Sequence, residues 1–217
     1  YNQYHNNSCT KKEKIDFIHS PISEFANLLF WIAIIACFIM MSHNTGILYG
    51  GSRWGRAIEI GTKICTYIPE WIANGVGGII DAIFAYALYV GMKSMHKPMK
   101  GLLKIYFIYS IIAMILVTIV SLPSLKDDDS LNAISLIVAF FGLVISFIIS
   151  INIINNYSGI LKKFGVYIII YITLEILFSC IIDMSEKGSN ISFISSILLF
   201  GIEYYYYKIL RDLFYDN

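Results

Sequence analysis

The chain has 217 residues, of which 57% are hydrophobic and 14% charged, with a mean hydropathy of +0.67 and a formal net charge of +1. Soluble domains carry roughly 25% charged residues, so this composition rules out an ordinary water-soluble globule. The near-zero net charge, with no dense basic face, also argues against nucleic acid as a partner. The apolar residues come in blocks of about twenty rather than in amphipathic alternation, which is the pattern of membrane spans. The expected fold is therefore all-α: a polytopic membrane protein with a bundle of about six transmembrane helices and one interfacial amphipathic helix in its first long loop.

Residues 1–24 form a polar segment in which Lys11, Lys12 and Lys14 are offset by Glu13 and Asp16. The first residue is Tyr1 and not Met, which admits further residues upstream, and nothing before Phe25 has the order of a signal peptide. Ser20-Pro21 and Ser23 read as a helix start. The first span, 25–42, is apolar on all faces and reads as a lipid-facing anchor. In residues 43–72, Gly46, Gly50, Gly51 and Gly55 interrupt any long element. From Ala57 onward Ile60, Ile64, Ile68 and Trp71 recur at helical spacing, with Glu59, Lys63 and Glu70 between them. That spacing predicts a short helix lying in the membrane interface, ended by Pro69 and anchored by Trp71. Arg53 and Arg56 are placed at the lipid head groups, and a re-entrant segment is the competing reading.

The remaining spans are expected at 73–92, 102–122, 131–154, 164–183 and 190–210, with a short tail at 211–217. With both termini on the inner side, inner segments hold eleven Lys and Arg residues and outer segments five. The positive-inside rule then puts both ends in the cytoplasm. Richness in Ile, Asn, Lys and Tyr suggests an AT-rich genome and a bacterial inner membrane. Five spans plus a re-entrant segment is the alternative topology.

The residue that organises this reading is Asp81, near the middle of the apolar stretch 74–91. Gly78, Ala82 and Ala85 follow one another on a smooth helical face beside it. A charge at that depth is costly and faces protein or a wet cavity. A second acid, Glu175, lies eight residues from the outer end of its own span, as Asp81 does in its span. At 1.5 Å per residue both sit about 12 Å below the outer surface. Tyr167, Tyr171, Glu175 and Ser179 share one stripe of the Glu175 helix. Two acids at one depth can bind a cation or exchange protons, with Tyr171, Ser179 and the Gly77–Gly78 backbone lining the site. A third acid, Glu203, in Gly201-Ile-Glu-Tyr-Tyr-Tyr-Tyr-Lys208, reads as an interface residue beside an aromatic belt. The stripe Ser135, Ala139, Gly142, Ser146 and Ser150 reads as a close-packing face, with a pore lining as the sharper alternative.

Other patterns carry less. Asp127-Asp-Asp129 reads as a loop and helix start rather than a metal site, because it lacks the D-x-x-D register. The histidines have no zinc-site spacing, and no metal or cofactor is expected. Cys9, Cys37, Cys65 and Cys180 show no CxxC pair, and a Cys65–Cys180 bridge is the one disulfide that topology would permit. Segments opening at Lys104 and Lys163 resemble each other at an offset of 59 residues, as do Gly142 and Gly201. No nucleophile elbow, HExxH or P-loop is present.

Three functions remain. The first is a small transporter or ion-translocating protein, or a subunit of one, using Asp81 and Glu175 on a small solute or cation. Its short length would make it a homo-oligomer or the partner of another membrane subunit. The second is a non-catalytic interaction, assembly, sensor or immunity-type membrane protein whose acids are structural. The third, weaker, is a membrane-embedded lipid- or glycan-modifying enzyme.

Overall fold

The computed structural model describes residues 12–45, 53–93, 99–125, 128–184 and 190–215. They form seven α-helices: α1 Ala26–Thr45, α2 Arg53–Thr66, α3 Glu70–Met92, α4 Lys100–Val120, α5 Asp129–Asn156, α6 Gly159–Met184 and α7 Asn190–Phe214. Two short strands, β1 Glu13–Ile15 and β2 Tyr157–Ser158, complete the structure. Among the described residues five helices are long and apolar enough to cross a membrane: those over Ser23–His43, Glu70–Met92, Lys100–Val120, Asp129–Asn156 and Gly159–Ile182. They point to a membrane location and are compatible with an integral membrane protein. α7 is of similar length, but Glu203, Lys208, Arg211 and Asp212 dilute its apolar character.

The helices alternate in direction around the bundle. Asn74 Nδ2 donates to Ser121 Oγ (2.6 Å) where α3 begins and α4 ends, while Tyr86 packs on Phe107 at the opposite end of the same pair. Phe30 meets Tyr204 and Phe38 meets Phe200, so α1 and α7 are antiparallel. Small residues set the closest approaches. A Cβ on Gly78 would lie 2.8 Å from Met114 Cγ, and one on Gly165 would lie 2.8 Å from Ile153 Cγ2. A Cβ on Gly142 would overlap the Tyr109 ring. Backbones approach here because nothing stands between them, as membrane helix interfaces require. Gly201, the expected counterpart of Gly142 in a duplicated hairpin, meets nothing within 4 Å, so the two positions differ in environment.

Several boundaries differ from those read along the chain. α1 is no plain lipid anchor: Ala26, Phe30, Ala33 and Ala36 are buried, while Leu28, Trp31 and Ile35 face outward. A helix that is apolar all round displays no preferred face in its pattern, and here small side chains select the packed one. α2 ends at Thr66, and Pro69 and Trp71 belong to the start of α3 rather than to the amphipathic helix. The His43 ring Nε2 lies 2.7 Å from the Ile68 carbonyl oxygen, tying that turn to the end of α1. Ile60, Ile64 and Tyr67 remain exposed on the α2 side. The side chains of Arg53 and Arg56 lie outside the described part of the structure. Asp128 caps α5 by accepting from Ser130 N (2.9 Å) and Leu131 N (3.1 Å), a helix-start role for that acidic run. Asp127 is outside the described residues. α6 starts at Gly159, five residues before the expected 164, because Gly159 adopts φ +75° and turns the chain at once from α5 into α6. Cys37, Cys65 and Cys180 are free thiols, so the Cys65–Cys180 bridge is not formed.

The largest departure lies at the N-terminus, where a segment read as a polar extension packs under the bundle. β1 pairs in parallel with β2, Glu13 opposite Tyr157 and Lys14 opposite Ser158. The Ile18 amide donates to the Leu213 carbonyl (2.8 Å), and the fully buried Ile18 side chain fills the space that Gly91 leaves free. Tyr157 is completely buried beside this bridge, and burial with the Glu13 carboxylate nearby pushes its hydroxyl up to about 12. α7 likewise runs on to Phe214, so most of the expected tail is helix, with Leu213 and Phe214 buried.

This docking makes the bundle asymmetric. Its fully buried large side chains include Phe30, Phe84, Met92, Leu103, Ile153, Leu161, Phe164, Leu210 and Phe214. All belong to the end where the described chain ends gather, here called the terminal end. Among the described residues, none of the large, fully buried side chains lies at the opposite, far end.

Candidate functional site

The far half is occupied by a cavity of about 610 Å³, framed by α1 and α3 to α7. Its walls reach from Tyr106 and Tyr207, next to the core, to Asn74 and Ala73 in the first turns of α3 and Ser179 and Cys180 in the last turns of α6. The cavity therefore extends from mid-bundle toward the far end and is closed toward the terminal end by the apolar core.

Three helices each bring one carboxyl group to its wall. Asp81 comes from α3, on the face where Gly77 and Gly78 leave room, and accepts a hydrogen bond from Tyr207 Oη (2.9 Å). Glu175 comes from α6 together with Tyr171 and Ser179. Glu203 comes from α7, and Cys37 of α1 lines the same cavity. All three acids line this one cavity. The described lining contains no Lys, Arg or His. A buried negative charge without a fixed counter-charge must be balanced by protons or by a bound cation. Among the described residues no three His, Cys, Asp or Glu side chains converge as a metal-ligand set. The charge is thus spread over the wall rather than focused on one point.

Five tyrosines, Tyr106, Tyr109, Tyr171, Tyr206 and Tyr207, share the polar surface with Asn74, Ser110, Ser146 and Ser179. Tyr171 and Tyr206 stack at 4.5 Å with an interplanar angle of 17°, and Tyr207 meets Tyr206 edge-on at 5.3 Å. α5 supplies Ala139, Gly142 and Ser146, where a small residue is needed both for the wall and for the Tyr109 contact. Ser146 also accepts, through its carbonyl, the hydroxyl of the buried Ser150 (2.7 Å).

All six residues expected at a solute site, Asp81, Glu175, Tyr171, Ser179, Gly77 and Gly78, line this one cavity. Tyr167, from the same α6 stripe, does not: its hydroxyl donates to the Ile202 carbonyl (2.9 Å) on another face. Glu203, expected near the interface, is part of the wall, because α7 extends beyond the expected end and leaves Glu203 near its middle. Cys37 and the tyrosines of α4 and α7 were missed. The one available signal was the spacing of Tyr106, Tyr109, Ala113 and Val117, which share a face of α4.

No family model, curated protein or solved structure matches the chain. The reading of the site rests on its geometry.

Tyr207→Phe removes the hydroxyl that reaches Asp81. It is expected to lower stability by about 0.5–1.5 kcal/mol, the net contribution of one hydrogen bond on a cavity wall. Tyr204→Phe, on the exposed side of the same helix, is expected to be silent. Thermal unfolding of the two purified variants makes the comparison.

Proposed function

We propose that the protein binds a small cationic solute in the far-half cavity and carries it across the membrane, as a small transporter or a subunit of one. The observation that carries this reading is a wall with three carboxyl groups and no basic side chain. Solute size follows from volume. A water molecule takes up about 30 Å³ of liquid, and small-molecule sites usually occupy about 300–1,000 Å³. A cavity of about 610 Å³ suits an organic cation better than a bare metal ion or a proton alone. The five tyrosines support the same class, because aromatic faces attract ammonium groups by roughly 0.5–2 kcal/mol each. A cavity in the far half beside a dense core at the terminal end suits one state of a protein that exposes its site to alternate sides.

In this reading α7 is the sixth span, α2 lies in the interface with Ile60, Ile64 and Tyr67 toward lipid, and Arg53 and Arg56 meet lipid phosphate. The terminal end faces the cytoplasm of a bacterial inner membrane, following the lysine count. Oligomerisation or a second membrane subunit would cover the outward faces of α5.

The rival is a helix-contact protein in which the acids are structural, and the Tyr207–Asp81 bond favours it. Proteoliposome uptake separates the two. Choline and tetraethylammonium are expected to accumulate saturably above empty vesicles and to compete with each other, while benzoate neither enters nor competes. Uptake of every cation at the empty-vesicle level would overturn the proposal.

A further inference from the structure

A second concavity, independent of the first, lies on the outer surface between α6 and α7 at the terminal end, with a volume of about 640 Å³. One end of it is basic: Lys162 and Lys163 stand at the start of α6 and Lys208 faces them from α7. Among the described residues none of these lysines takes part in an ion pair. The one acid on the lining, Asp212, is already engaged by Arg211 through Nη2 (2.6 Å) and Nε (2.9 Å). The other end is apolar. Val166 and Ile170 continue the α6 wall away from the lysines and are exposed, and Ile209 closes the α7 side. Between the two ends, Tyr167 and Tyr205 pack at 4.8 Å. Tyr167 spends its hydroxyl on the Ile202 carbonyl, so its ring rather than its donor is left for the groove.

From Lys162 to Ile170 the helix rises about 12 Å, close to the length of half an acyl chain layer. Lys162 and Lys163 fall in the first two turns of an apolar helix over Gly159–Ile182 that is long enough to cross a membrane, and lysines near the ends of such helices reach the lipid head groups. We infer that this groove binds one anionic phospholipid, its phosphate held by Lys162, Lys163 and Lys208 and one acyl chain lying along Val166 and Ile170. A surplus of three positive charges matches a net-negative head group, and the apolar continuation matches a tail that a free anion lacks. A zwitterionic lipid brings its own cation into the same basic end and is disfavoured. Each lysine near an anionic lipid surface adds roughly a factor of five in affinity.

Native mass spectrometry of the full chain in mild detergent tests this with phosphatidylglycerol, phosphatidylcholine and inorganic phosphate as separate probes. One phosphatidylglycerol is expected to be retained at least about tenfold more than phosphatidylcholine, with no displacement by inorganic phosphate. The triple variant Lys162→Gln, Lys163→Gln, Lys208→Gln should lose that preference, and the corresponding triple arginine variant should keep it. A control pair at the same end of the bundle, Lys100→Gln with Lys104→Gln, should leave it unchanged. Equal retention of the two lipids by the native chain, displacement by inorganic phosphate, or equal loss in the control pair would each overturn the assignment. None of these outcomes depends on whether the cavity carries a solute.

Discussion

Replacing Asp81 by Asn together with Glu175 by Gln is expected to abolish saturable cation uptake, by at least about a hundredfold, while the bundle stays assembled. The magnitude follows from Coulomb's law. A carboxylate 4–6 Å from a bound cation contributes roughly 3–4 kcal/mol at an effective dielectric of 20, and each 1.4 kcal/mol is tenfold. With no basic side chain on the described lining, removing two of the three acids also removes the reason for a cation to leave water. Shape is conserved: in Asp81→Asn the amide oxygen would still accept from Tyr207 Oη. Stability should therefore change little. The structural reading of the acids predicts the reverse, a drop in melting temperature or a change in oligomeric state with no cation effect. Uptake and thermal unfolding measured on the same preparation decide between them. Unchanged uptake in a folded double variant ends the solute-binding role of these two residues. The single variant Glu175→Gln leaves the Tyr207–Asp81 bond untouched, so it keeps the test decisive should the double variant fold poorly.

Ile18→Asp is expected to detach the N-terminal segment and destabilise the whole terminal end. Ile18 is fully buried, its amide is bonded to Leu213 O, and its side chain sits where a Cβ on Gly91 would be. Truncating such a residue to Ala costs about 2–4 kcal/mol, and introducing a carboxylate there adds desolvation to the lost packing. Limited proteolysis should then cut within residues 12–22, and the unfolding temperature should fall. Gly91→Val, which fills the same space from the other side, should give the same pattern. The double variant should be less than additive, because both changes break one contact. Normal stability and protease resistance in Ile18→Asp would mean that the segment is not held by this contact.

Much of the architecture was legible along the chain for a simple reason. Hydropathy blocks and capping residues are local: Asp128 caps α5, and Ser20 and Ser23 exchange hydrogen bonds in the turn that leads into α1. Depth is also local: a fixed rise per residue was enough to put Asp81 and Glu175 at one level, and both line one cavity. Direction around the helix was harder. α1 is apolar on every side, so no periodicity announced that Cys37 turns inward, whereas on α4 only the spacing of Tyr106, Tyr109, Ala113 and Val117 marked the inward face. The run Tyr204 to Tyr207 reads equally well as an interfacial belt, yet Tyr206 and Tyr207 line the cavity while Tyr204 and Tyr205 face outward.

The polar N-terminal segment shows the limit most clearly. Lys14 and Asp16 pair with each other in solvent, and charges of that kind dominate any reading of 12–22. The two side chains that matter, Ile15 and Ile18, find their partners at Tyr157–Gly159, Gly91 and Leu213, 73 to 195 positions further along. Composition and helical rise, which depend on near neighbours and on water or lipid as solvent, thus define a membrane-type helical chain and single out two acids that line one cavity. The dense terminal end, the cavity in the far half and the placing of three acids from α3, α6 and α7 on one wall arise only in the packed bundle. Those features depend on which faces of distant helices can approach, and small residues such as Gly78, Gly142 and Gly165 decide that by the side chains they lack.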